Sequence, residues 1–123
     1  MRTPGRRDSA NEANDDMSEI SFQRAIAAVD LPEGQMRAVQ IGARSILLCR
    51  TKEGWYALDD ICTHAYAKLH EGRLRGNRLI CPLHGASYDC RSGAVLGAPA
   101  IQPLKTYPVR HVGDDIEVAC DRP

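Results

Sequence analysis

Four side chains in this 123-residue sequence combine the types and spacing needed to hold metal. Cys62 and His64 are separated by one residue; after sixteen intervening residues, Cys81 and His84 follow, separated by two. Thiolate and imidazole are both good donors to zinc and to iron, so two centres are open to this set. A structural zinc ion takes two cysteines and two histidines, but the common zinc fingers put the cysteines in one pair and the histidines in the other. Here each pair is mixed. A [2Fe-2S] cluster with two cysteines on one iron and two histidines on the other draws one of each from each loop. Imidazole is neutral where thiolate is negative, so such a centre has a potential of roughly −150 to +300 mV, against about −400 mV for plant-type clusters. Thr63, Pro82, Gly85 and Ala86 suit the cluster too, because they allow tight loops whose backbone N–H groups can face inorganic sulfide.

The other reactive residues lack partners at ligand spacing. Cys49 lies in the apolar run Ser45-Ile46-Leu47-Leu48-Cys49 and Cys120 near the end of a strand pattern, where cysteine acts as a small hydrophobe. Cys90, between Tyr88-Asp89 and the turn Arg91-Ser92-Gly93, reads as a non-ligand. His70 matches neither ligand pair and reads as a surface histidine, and His111 reads as chemically silent. With His64 and His84 used, those two do not supply a two-histidine-one-carboxylate iron site, so no catalytic residue is assigned. Lys68, Arg73, Arg75 and Arg78 make the ligand region locally basic, for solvation or for docking a partner.

Two loops can meet over one metal centre only on a rigid frame, and the pattern points to an all-β one. From Ile20 onward short strands alternate with turn residues, and no helical periodicity persists. Strands are predicted at Phe22–Val29, with Ala25–Ala28 as a helical alternative, and at Met36–Ile41, Ser45–Arg50 and Trp55–Leu58. Gly76-Asn77 joins Gly72–Arg75 to Arg78–Ile80 as a short hairpin that delivers the chain to Cys81, and a terminal hairpin joins Lys105–Arg110 to Ile116–Ala119. Residues 1–19 have almost no large apolar side chain to offset ordering entropy and are predicted to be a disordered tail, with translation starting at Met1 or Met17. The domain is expected over residues 20–120, with a ligand-binding subdomain at about 60–100.

Composition narrows the partners. Basic and acidic residues both number 16, which removes the simplest argument for nucleic acid or an anionic membrane. No apolar run has bilayer-spanning length and Arg6-Arg7 leads into polar residues, so the cytoplasm is the expected compartment.

The segments Cys62-Thr63-His64 and Cys81-Pro82-Leu83-His84-Gly85, followed by Tyr88-Asp89 and Ser92-Gly93, resemble the signature of the Rieske family. The resemblance implies stacked antiparallel sheets with a small cluster-binding subdomain at one tip, and one [2Fe-2S] cluster held by Cys62, His64, Cys81 and His84. It also implies a third shielding loop at Gly97-Ala98-Pro99. Membrane-anchored Rieske proteins carry a disulfide between their cluster loops and a serine hydroxyl toward a sulfide; the matching positions here are Ala67 with Leu83, and Ala86. Tyr88 falls where those proteins aim a tyrosine at a ligand cysteine, and core packing is its alternative. The chain is thus similar to the soluble, low-potential ferredoxins of bacterial ring-hydroxylating oxygenases. The implied function is one-electron transfer from a flavin-containing reductase to a terminal oxygenase, not catalysis. A small Rieske subunit of a nitrite reductase and a structural zinc module are the alternatives.

Overall fold

A computed structural model describes residues 20–63, 67–83 and 85–121. The tail expected at residues 1–19, Met17 included, lies outside them. The first half of the described chain forms β1 (Ile20–Ala27), β2 (Met36–Ile41), β3 (Arg44–Thr51) and β4 (Gly54–Asp59). Four short strands follow, β5 (Arg73–Arg75), β6 (Arg78–Ile80), β7 (Ser87–Asp89) and β8 (Val95–Gly97). The chain closes with β9 (Thr106–Tyr107), β10 (Val109–Val112) and β11 (Asp115–Asp121). All pairings are antiparallel, in three sheets ordered β1-β11-β10, β2-β3-β4-β9 and β5-β6-β7-β8. The all-β expectation holds.

The sheets stack because β3 is apolar on both faces. Side chains alternate across a strand, so a strand covered on both sides reads as an uninterrupted apolar run. Ile46 and Leu48 face β1 and β11, in a core with Ile26, Ile116 and Val118. Leu47 and Cys49 point the opposite way, into a core with Leu79, Tyr88 and both candidate ligand cysteines. The third sheet meets them with one cross-strand row, Leu74–Leu79–Tyr88–Val95, while Arg73, Arg75 and Arg78 take its other face. The β2-β3-β4-β9 sheet is therefore the middle layer.

The third sheet is inserted between neighbouring strands. β4 pairs directly with β9 through Ala57↔Tyr107 and Leu58↔Thr106, and the Asp59 N–H donates to the Lys105 carbonyl at 3.0 Å. Residues 60–105 thus leave and rejoin the middle layer on adjacent strands. Gly72 lies where this lobe is tightest: a Cβ there would collide with the Ile80 carbonyl oxygen, so only glycine fits.

Several strand limits differ from the sequence reading, each for a local reason. The first strand starts at Ile20 and gives way to a 3₁₀ turn at Ala28–Asp30, so Ala25 to Ala27 are extended rather than helical. The segment 105–110 divides at Pro108, which has no N–H for a ladder; Thr106–Tyr107 pair with β4 and Val109–Val112 with β11. β7 and β8, each three residues long, were not anticipated.

Candidate metal centre

Two loops of matching construction carry the candidate cysteines. In the first, Ile61 bridges to Lys68 and the Cys62 N–H donates to the Ala67 carbonyl at 2.8 Å. In the second, Ile80 pairs with Ser87 and the Cys81 N–H donates to the Ala86 carbonyl at 2.8 Å. Each cysteine thus sits just inside a closed loop stem, facing the core shared by the middle and third sheets.

The two sulfurs come together. Cys62 is 1% and Cys81 3% exposed, and their thiols are within hydrogen-bond reach of each other. Burial pushes the Cys81 thiol up, the Leu83 N–H, 3.4 Å from its Sγ, pulls it down, and Cys62 beside it pushes it up again. A metal cation reverses that balance, because it binds the thiolate and supplies the charge that burial withholds. The Tyr88 hydroxyl lies 3.0 Å from Cys62 Sγ and 2.9 Å from Thr63 Oγ1. Thr63 Oγ1 donates to the Gln102 carbonyl at 3.0 Å, which leaves the Tyr88 O–H to donate toward Cys62 or Thr63. Tyr88 is therefore both a core aromatic and a donor at the site. The same Thr63 bond ties the segment after Gly97-Ala98-Pro99 to the first loop. Two buried, adjacent sulfurs with N–H and O–H donors aimed at them fit one iron of a [2Fe-2S] cluster.

His64 and His84 lie outside the described residues, and among the described residues no group of three or more metal-binding side chains converges. Two of the residues set aside have partners that their spacing did not mark. His70 is a surface histidine, as expected, 35% exposed at its side chain, and it also donates through Nδ1 to the buried Asp60 at 2.7 Å. Cys90 has a partner: it shares a hydrogen bond with Cys49 that raises the Cys49 thiol well above its ordinary value and lowers that of Cys90. Both are fully buried, as Cys120 nearly is, and none of the five cysteines forms a disulfide. His111 packs edge-on to Trp55, ring centroids 6.3 Å apart. Asp60, which no spacing rule marked, emerges as a buried acid two residues before Cys62.

Residues 21–108 match the Rieske [2Fe-2S] domain family. The chain belongs to that family. The cofactor of this Rieske domain is one [2Fe-2S] cluster, not a structural zinc ion. The chain is 35% identical over 94 residues to the ferredoxin component of the naphthalene 1,2-dioxygenase system of Pseudomonas aeruginosa, covering 76% of this chain and 90% of that one. It is 37% identical over 99 residues to the ferredoxin component of biphenyl 2,3-dioxygenase of Rhodococcus jostii, covering 80% and 92%. The Rieske domain also superposes, with a TM-score of 0.77 and 31% identity, on a chain from a complex of reduced oxygenase and oxidized ferredoxin in carbazole 1,9a-dioxygenase, over 83% of this chain and 95% of that one. These relatives are ferredoxin components, which carry electrons and leave the substrate chemistry to other subunits.

Proposed function

We propose that this Rieske domain is a cytoplasmic one-electron carrier that accepts electrons from a flavin-containing reductase and passes them to a terminal ring-hydroxylating oxygenase, with Cys62, His64, Cys81 and His84 holding the cluster. The observation that carries the reading is similarity to dioxygenase ferredoxin components across about nine-tenths of their length, 90% and 92% in the two relatives above. That similarity favours a dioxygenase ferredoxin over a nitrite-reductase subunit. Among the described residues no helix is long and apolar enough to cross a membrane.

When bound, the cluster supplies a centre that gains and loses one electron without changing its ligands. The chain's own residues do the rest. Cys62 and Cys81 are buried, the Leu83 N–H donates to the Cys81 sulfur, and the Tyr88 hydroxyl stands within hydrogen-bond distance of the Cys62 sulfur. Pro82, Gly85 and Leu83, the last 45% exposed, leave an apolar rim on the second loop where a partner can exclude water.

The ligand assignment is tested by substitution. Alanine at Cys62, His64, Cys81 or His84 should abolish the visible absorbance, whereas Cys49→Ala, Cys90→Ala and Cys120→Ala should retain it, with two irons and two sulfides per chain. A bleached but folded Cys90→Ala protein would defeat the ligand set. Stopped-flow mixing of the reduced protein with a terminal oxygenase tests the carrier reading, which requires the ferredoxin spectrum to reoxidise as the oxygenase centre is reduced.

A further inference from the structure

The two cluster loops are anchored differently. The second rises from a paired hairpin, β6 and β7. Among the described residues, the first has no paired strands at its base, where the isolated bridge Ile61↔Lys68 stands beside the Cys62–Ala67 bond. Asp60 takes the place of the missing ladder. Its N–H donates to the Ser45 carbonyl of β3 at 3.2 Å, and its own carbonyl accepts the Leu69 N–H at 2.7 Å. Its carboxylate, 1% exposed, accepts the His70 N–H at 2.9 Å through Oδ1. The other oxygen, Oδ2, accepts the His70 Nδ1–H at 2.7 Å and lies 3.4 Å from Ser45 Oγ. One residue thus joins β3, the start of the first loop and its end. A buried carboxylate is tolerated only when its oxygens are hydrogen-bonded, so the arrangement holds one geometry firmly. His70 supplies two of the donors, from its backbone and its ring.

We propose that Asp60 and His70 are a positioning pair that fixes the first cluster loop against the middle sheet and thereby sets where the Cys62 sulfur stands. The inference rests on Cys62 being a ligand. The hydrogen bonds run through the stem, not to the cluster, so the pair acts on the metal only by way of Cys62. Losing the ring donor leaves one oxygen of a buried carboxylate short of its strongest partner and loosens the Cys62–Ala67 closure.

The test compares His70→Leu, which keeps bulk without a donor, with His70→Asn, whose amide can stand where Nδ1 stood. In the intact, oxidised, cluster-loaded protein, transfer of iron to a ferric chelator should be roughly tenfold faster for His70→Leu, the scale of one hydrogen bond to an ionised group. The electron paramagnetic resonance g-values of its reduced form should shift, and amide exchange at Cys62 should quicken. His70→Asn should restore all three toward wild type. Chelation and g-values that stay at wild type in His70→Leu, or a His70→Asn protein as altered as His70→Leu, would overturn the proposal. If His70→Leu does not fold, His70→Ala gives the same comparison with the same deciding outcomes. Cys62→Ala is the separate control: a cluster retained there refutes the ligand reading itself, while one lost there alongside an inert His70→Leu refutes only the positioning pair.

Discussion

At Cys62 the tuning of the centre comes down to individual hydrogen bonds. The Tyr88 hydroxyl is 3.0 Å from the sulfur, while Ala86 offers no hydroxyl in the second loop. A donor to a cluster sulfur favours the more negative reduced state, so its loss lowers the potential. Voltammetry should find the wild-type midpoint near the low end of the Rieske range, roughly −150 mV. Tyr88→Phe should lower it by up to about 60 mV, the one-electron equivalent of a tenfold change in equilibrium, and Ala86→Ser should raise it. A midpoint above zero would contradict this account. The ligand pattern was legible because metal chemistry demands particular residue types at particular separations. Asp60 and the Cys49–Cys90 contact were not, because an aspartate at a strand end and a cysteine in an apolar run look the same in sequence whether or not a distant residue reaches them.

Among the elements, β3 was the most readable, since burial on both faces writes itself as consecutive apolar residues. β7 and β8 were the least readable, because three-residue strands exist only by virtue of their neighbours. The alternation in β3 can be tested directly. Leu47→Ala and Leu48→Ala each remove a fully buried side chain and should each cost about 3 kcal/mol in urea unfolding. Only Leu47→Ala, whose side chain shares a core with Cys62 and Cys81, should also speed iron loss to a chelator; equal loss from both would contradict the layer assignment. The turns are linked as well: Arg91 binds Asp89 and reaches across to Glu53 between β3 and β4, at 2.9 and 3.0 Å. These bonds to Arg91 hold both carboxyl groups below their usual range. A carboxylate whose folded pKa is depressed stabilises the fold above its unfolded pKa and loses that contribution as pH falls through the folded value. The thermal midpoint should therefore decline below about pH 4, and less steeply in Arg91→Gln. The effect should be small, because the pair of turns is exposed.

Across the whole molecule, an even balance of charge hides an uneven distribution. Residues 61–105 contain six lysines and arginines against two acidic residues, and Arg73, Arg75 and Arg78 share one exposed face of the third sheet. Arg73→Glu should slow association with the oxygenase in stopped-flow mixing, most at low ionic strength, and leave the visible spectrum unchanged. An unchanged rate at low salt would remove this face from the encounter. The three-layer stack has a kinetic meaning as well. Between Cys62 and the outer face of the β1-β11-β10 sheet lie the entire middle sheet and another layer of side chains, and stacked sheets are about 10 Å apart. With the cluster on Cys62 and Cys81, the short path for an electron would run through the inserted lobe. The molecule would then have one doorway, not a corridor: donor and acceptor should queue for the same tip, and each in excess should act as a competitive inhibitor of the other.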